Sequence, residues 1–356
     1  MSELRINNIT DRAGSSGPII AGVSTVSSTS HMVMSSGPTE MRGGRGKAIF
    51  CGGYSPSIVN TIDTVEIATT GNATDFGDLP RVTSEAGGFA SATRGFTAGG
   101  YNPSYLNNIN FVIFSSSGGS NDFGDMTERT WGTNCLANST RGIIMGGRAH
   151  TDDNPYNGGY MDRILFVEMA SGGQDTSFFG DLLRPQEIGL TAGQTGTLTG
   201  ATYASTTRGI VAGGGTPRTK VIQFITIATK GNALNFGELS QEASRVTGFS
   251  SPTRGLSAGG FNNTPSATKS NVIEFVTIAT LGNGTDFGDL LTQRYSPGSG
   301  SSKTRGVIAG GNTQPGYTNA IEFVTIASAG NASDFGDLTQ ARMTSGSSDA
   351  HGGLGD

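Results

Sequence analysis

The sequence predicts an all-β fold, and three observations carry that expectation. The chain has 57 glycines among 356 residues and a charged fraction of only 14%, and its apolar residues stand in short alternating runs. Each interior glycine costs a helix about 1 kcal/mol relative to alanine, so strands and tight turns are the economical use of this composition. The glycines lack the three-residue period of collagen, and isoleucine, valine and phenylalanine recur throughout, which excludes both a triple helix and wholesale disorder. The net charge is −5 with no basic stripe, so no nucleic acid is expected as a partner. No run approaches the roughly eighteen apolar residues of a membrane span and no charged-then-apolar leader opens the chain, so no membrane insertion is expected. Cys51 and Cys135 are too few and too far apart for a disulfide framework or a zinc site. Both are expected to be reduced, structural residues, with no metal and no cofactor.

Internal repetition organises most of the chain. Glycine pairs stand at Gly52-Gly53, Gly99-Gly100, Gly146-Gly147, Gly213-Gly214, Gly259-Gly260 and Gly310-Gly311. Each ends a short apolar run such as Arg94-Gly95-Phe96-Thr97-Ala98. In the first copy Lys47 replaces the arginine, and Cys51 falls where alanine or Met145 sits. After a variable polar stretch comes an alternating segment, as in Val272-Ile273-Glu274-Phe275-Val276-Thr277-Ile278, which is a strand signature. A turn such as Gly282-Asn283 leads into a Phe-Gly-acid element, and a stretch of Gly, Ser, Ala and Thr completes the unit. Each of the six units therefore supplies four short strands.

Such a unit resembles the Kelch-type β-propeller blade over about residues 43–350. The resemblance implies a six-bladed propeller whose inner strands are built of small residues. The phenylalanine of Phe-Gly-acid would take the place of the usual tryptophan between blades. The segment Arg342 to Ser348 aligns with the small-residue strand Tyr295 to Ser302. It is expected to return as the missing inner strand of the first blade, closing the ring and removing its exposed edge. Residues 351–356 then read as a short tail. Residues 1–42 lie outside the repeats and carry apolar stretches such as Gly17-Pro18-Ile19-Ile20-Ala21. They are too few to form a core and read as an extended N-terminal docking arm.

Residues that recur around a ring more often serve the ring than a reaction. Arg94, Arg141, Arg208, Arg254 and Arg305 could pair with Asp78, Asp125, Asp181, Glu238 and Asp289 of neighbouring blades, with Asp337 completing the set of acids, or cap backbone carbonyls at the strand start. A ring of positive charge holding an anion is the functional alternative. Asp-Phe-Gly matches the kinase magnesium motif in letters only, without a lysine-bearing strand or a His-Arg-Asp loop. His31, His150 and His351 are dispersed, and neither a catalytic triad nor a metal set can be assembled from them. No catalytic residue is assigned.

The third repeat breaks the symmetry. Gly147 to Asp181 spans 34 steps against 25 from Gly53 to Asp78, and the connection after Asp181 is also long. In an up-and-down blade both insertions enlarge one face. That face gathers the candidate binding residues His150, Asp152, Asp153, Tyr156, Tyr160, Tyr54, Tyr101, Tyr105, Phe261 and Tyr317. Tyrosines beside Asn, Asp and Gly suit contact with a sugar or a protein, although each could simply lie flat across its own blade. Asp152-Asp153-Asn154 reads first as an ordinary solvated loop, with cation binding as the alternative.

The wording Thr-Arg-Gly-x-x-Ala-Gly-Gly (from Thr304), Ile273-Glu274-Phe275-Val276-Thr277-Ile278-Ala279 and Gly282-Asn283-x-x-Asp286-Phe287-Gly288-Asp289-Leu290 resembles the Kelch-like repeats of structural proteins in tailed phages of marine bacteria, cyanophages among them. Ile9-Thr10-Asp11-Arg12-Ala13-Gly14 and Met34-Ser35-Ser36-Gly37-Pro38 are similar to the amino-terminal arms of such proteins. The resemblance implies a non-enzymatic virion component of the tail or a fibre, homo-oligomeric in the particle. Its arm would dock to other virion proteins and its propeller would meet a host surface glycan or protein, or another subunit. A capsid decoration protein is an alternative, and so is a carbohydrate-active enzyme, since propellers also host mutarotases, lyases and oxidases.

Overall fold

A computed structural model describes residues 46–153, 159–183, 199–215, 218–262 and 268–355. The docking arm at 1–42 lies outside them, as do Tyr156, Asn154 and residues 184–198 of the third repeat's second insertion. Gly46–Asp356 forms one compact unit. Its antiparallel sheets make six blades, an all-β propeller. The fifth blade shows the pattern: Thr247–Ser250 innermost, then Arg254–Ala258, Val272–Thr277 and Thr285–Asp289 outermost. The inner strands of the second, third, fourth and sixth blades are Gly87–Ala90, Asn134–Ala137, Ala201–Ala204 and Gly298–Ser301.

The first blade joins the two ends of the described chain. Lys47–Ser55, Ser57–Glu66 and Thr74–Asp78 form its outer three strands, and Met343–Ser348 pairs with Lys47–Ser55 as the inner one. Two side chains, those of Arg342 and Asp349, secure this closure further. Arg342 and Asp63 form a wholly buried ion pair at 3.0 Å, and the same guanidinium donates to the carbonyls of Gly52 and Phe50. Asp349 Oδ1 accepts the amides of Gly46 and Lys47 at 2.7 and 2.9 Å. In the other blades a Ser or Asn does that work within a continuous turn, as Ser251 does for Thr253 and Arg254. The closing turn is thus a discontinuous copy of the repeated one, with a charged acceptor in place of a hydroxyl.

Residues 351–355, expected as a short tail, are packed into the ring instead. Gly352–Leu354 forms a buried 3-10 turn. His351 Nε2 lies 2.9 Å from the Ala90 carbonyl while its Nδ1 accepts the Gly353 amide at 3.2 Å. Only glycine fits at 353, because a Cβ there would stand 1.9 Å from the Ala137 carbonyl. The serines of the other inner strands explain the placement. Ser348, Ser301 and Ser250 each donate to the carbonyl of the preceding blade, those of Ser301, Ser250 and Ala204, at 2.8 to 2.9 Å. Ala90, Ala137 and Ala204 stand at the same register and have no hydroxyl to give. The C-terminal segment fills the space they leave.

The recurring residues join blade to blade. Each Phe of Phe-Gly-acid is buried, and Phe123, for example, packs with Leu165, Val167 and Met169 of the next blade. The adjacent glycine lies against the next blade's Gly-Asn turn, where a Cβ on Gly288 would meet the Gly330 carbonyl at 2.5 Å. Asn331 Oδ1 accepts the Asp289 amide at 3.0 Å, and Asn232, Asn283 and Asn72 repeat that contact. The repeat arginines do not pair with the Phe-Gly-acid carboxylates. Arg254 Nη1 donates to the Ile326 and Ala327 carbonyls of the next blade, and Arg94, Arg141, Arg208 and Arg305 do the equivalent. Lys47 completes the circle on the Phe114 carbonyl. Each arginine also lies over a phenylalanine of its own third strand, as Arg305 does over Phe323 at 4.3 Å. A planar, always-charged donor suits this combination of carbonyl capture and stacking. The amides of Asp125, Asp181, Glu238, Asp289 and Asp337 and the carbonyl of Asp78 bond across the blade junctions, while the Glu238 carboxylate pairs with Lys220 at 2.7 Å.

Candidate functional site

The long loops after the second strands and the connections between blades share one face. The first insertion of the third repeat reaches it, since Arg148–Ala149 pairs with Thr130–Trp131 of the preceding connection. The structure brings several of the expected residues together there. Tyr105 stands at the centre of an aromatic patch, with ring centroids 6.1 Å from Tyr101, 6.1 Å from Trp131 and 5.4 Å from His150. His150 Nδ1 lies 3.4 Å from Asp152. Asp153 holds Arg129 through both guanidinium and backbone contacts at 2.7 to 3.2 Å. With Asp152 also 3.5 Å from Arg129, the two acids are joined in an ion-pair network. Tyr160 bridges to Arg148 and sits under its guanidinium at 5.8 Å.

Other tyrosines fall elsewhere on the same face. Tyr54 and Tyr317 meet edge to face at 5.7 Å. Phe261 stacks on Tyr295 at 4.1 Å, with Arg218 over the former and Arg245 over the latter. Most of these rings therefore pack on one another across loops rather than singly on their own blades, which gives the face a set of preformed aromatic surfaces.

The axis of the ring holds a cavity of about 160 Å³ lined by the inner strands, with His351 among its residues. Its other lining includes Glu85, Thr199, Arg245 and Ser296. These four sit two residues ahead of an inner strand and all have left-handed backbones, with φ of 51, 48, 54 and 50°. Gly132 occupies the same place before the third blade with φ 68°. Their backbones hydrogen-bond in sequence around the axis: Gly132 N to Glu85 O, Thr199 N to Gly132 O, Val246 N to Thr199 O and Ser296 N to Arg245 O. Glu85 precedes the second blade and Arg245 the fifth, so these residues arise from opposite sides of the ring. Their side chains meet at 2.8 Å. Burial holds the Glu85 carboxyl above the usual carboxylate range, against the pull of Arg245.

Sequence reading passed over Glu85, Thr199, Arg245 and Ser296 because it sought repeated residues. These positions share a register and a backbone conformation but no side-chain type. A mismatched column directly ahead of each uniform inner strand was the available signal. The thiols of Cys51 and Cys135 are buried and free, and burial pushes both up to about 12, so both are protonated structural groups.

No family model matches the chain, and no curated protein matches it. Among solved structures, that of YjhT is similar in fold, with a TM-score of 0.61 at 12% sequence identity, covering 77% of this chain and 91% of that one. At that identity the likeness concerns the propeller architecture alone.

Proposed function

We propose that this chain is a non-enzymatic binding propeller of a virion, anchored through residues 1–42 and engaging a host surface glycan or protein through its long-loop face. The observation that carries the binding reading is the patch of Tyr101, Tyr105, Trp131 and His150 on the face enlarged by the third repeat. Aromatic rings with polar tips are effective contact residues, and binding commonly resides in loops held by a rigid scaffold. The virion setting rests on the likeness of the repeats and the opening segment to tailed-phage structural proteins, and the Kelch label rests on the repeat layout. No helix among the described residues is long and apolar enough to cross a membrane.

The test has two arms. Purified particles carrying a chain deleted for residues 1–40 are examined by mass spectrometry, with loss of the protein from particles expected and normal incorporation overturning the anchoring role. The full chain and its Tyr105→Ala variant are then compared for host-cell binding. A loss of about tenfold or more with an unchanged unfolding midpoint is expected for a hot-spot aromatic. Equal binding by both, or none by either, removes the patch as the contact surface.

A further inference from the structure

In three consecutive blades a carboxylate is buried at one position of the third strand, and among the described residues only two of the three have a cation. Glu322 of the sixth blade pairs with Arg294, and Asp63 of the first pairs with Arg342. Each arginine stands four residues after the leucine that follows Phe-Gly-acid, Leu290 in one case and Leu338 in the other. In the fifth blade the carboxylate is Glu274, only 8% exposed, and the position four residues after Leu239 is Ala243. The backbone matches as well, since the Ala243, Arg294 and Arg342 carbonyls accept the amides of Gly214, Gly260 and Gly311. Among the described residues Glu274 accepts one hydrogen bond, from the Ser240 amide at 2.9 Å, and pairs with no basic side chain. Gln223 of the fourth blade caps the Leu183 amide in the same way at 2.7 Å, so that contact needs no charge. A buried carboxylate left without a cation is strongly destabilising.

The place of the missing guanidinium is a pocket. Its volume is about 20 Å³, and Ala243, Glu274, Gln241, Gly259 and Val272 line it. In the sixth blade Arg294 donates to the Gly310 and Ala320 carbonyls at 3.1 Å, to Thr292 and to Glu322. Gly259, Val272, Gln241 and Glu274 are the counterparts of those four acceptors in the fifth blade. The Ala320 carbonyl serves Arg294 while also accepting the Gly310 amide at 3.1 Å, and the Val272 carbonyl, which accepts the Gly259 amide at 3.1 Å, keeps the same second lone pair. We infer that this pocket binds one monovalent cation of about the size of a water molecule, potassium or ammonium, with Glu274 supplying the charge and the Gly259, Val272 and Gln241 oxygens the rest of the shell. The volume suits about one particle of that size, and a single positive charge restores what the arginine supplies in the next two blades. Glu242 also lines the pocket and adds negative potential. No group of three acidic, histidine or cysteine side chains that could hold a metal stands among the described residues, and divalent and transition ions generally draw on more such ligands. This site is separate from the aromatic patch around Tyr105, and either can fail without the other.

The experiment unfolds the full chain by heat, followed by circular dichroism, in rising concentrations of potassium or ammonium chloride. Tetramethylammonium chloride, whose cation is too large for the pocket, holds the ionic strength constant. A saturating rise of the midpoint by roughly 2 °C or more is expected with potassium or ammonium. Glu274→Gln keeps an acceptor for the Ser240 amide without the charge and should erase that response. Ala243→Arg should supply the guanidinium from within the chain, erasing the response and raising the midpoint in tetramethylammonium chloride above that of the native chain. The absence of a saturating rise with either cation overturns the proposal and leaves the pocket to water. A rise that persists undiminished in Glu274→Gln overturns it equally, because the ion then acts elsewhere.

Discussion

At the end of the ring where inner strands run into the Ser-x-Thr-Arg turns, polar groups meet partners from neighbouring blades. Serines lace one inner strand to the next, and the C-terminal segment fills the stretch where alanine replaces serine. At the opposite end five of the inner strands are preceded by left-handed, chemically diverse residues, three of which leave buried polar atoms without partners among the described residues. Both ends begin from the same repeat, so the difference lies in their local residues. The first end meets its polar groups with hydroxyls and a buried turn of the same chain. The second uses its positions for left-handed turns that link blade to blade through the backbone.

The comparison is broken most forcefully at the closure. Arg342→Ala would leave Asp63 as a buried carboxylate without its cation and remove the bonds to Gly52 and Phe50. Losing one partner of a buried ion pair costs about 3–5 kcal/mol, a large share of the stability of a typical domain. Urea unfolding followed by circular dichroism should show a midpoint shift of that size. The double variant with Asp63→Ala should lose less than the sum of the single losses, because the stranded charge is gone. A shift under 1 kcal/mol would mean that the inner strand closes the ring without this pair.

The repeat made the six blades, the closing strand and the buried phenylalanines legible, because each follows from alternation or from a residue recurring at fixed spacing. Pairing across blades was not legible. Sequence spacing could not tell whether Arg254 faces an acid or a carbonyl, and the carbonyls of Ile326 and Ala327 belong to residues that carry no charge at all. The buried end of the chain was missed for a related reason. Gly352-Gly353-Leu354 has the composition of a tail, and its fit depends on alanines at 90, 137 and 204 that are remote in sequence. The axial residues were hidden because strain and burial are tertiary properties: Glu85 and Ser296 look like any polar residues in a connection.

The C-terminal segment offers a second, smaller break. His351 is held neutral, its Nε2–H donating to Ala90 and its Nδ1 accepting from Gly353, and burial lowers its pKa below the ordinary value. Protonation would turn that acceptor into a second donor facing an N–H. The unfolded chain binds the proton near pH 6.5 while the folded chain resists it. Stability therefore falls as pH drops below about 6.5 and stops falling once the depressed folded value is passed, with a slope of at most about 1.4 kcal/mol per pH unit. His351→Gln keeps an N–H donor without titrating. Its unfolding midpoint should lose less than that of the native chain between pH 7 and 5, and parallel losses would show that the imidazole does not seal this end.

The smallest expected effect has the opposite sign and bears most directly on the contrast between the two ends. Ser296 has φ 50° and a hydroxyl with no partner among the described residues, so Ser296→Gly removes both a strained Cβ and an unpaired polar atom. Against this, glycine makes the unfolded chain freer by about 0.5–1 kcal/mol. Left-handed strain at a residue with a Cβ is of order 1–2 kcal/mol, so a net gain of about 0.5 kcal/mol is expected. Ser251→Gly, at the turn end, should instead lose about 1 kcal/mol through the two amides it caps. Gain at one end and loss at the other, read as paired unfolding curves, would show that the left-handed turns ahead of the inner strands carry strain that the Ser-x-Thr-Arg turns do not. Equal losses would make Ser296 another structural turn residue.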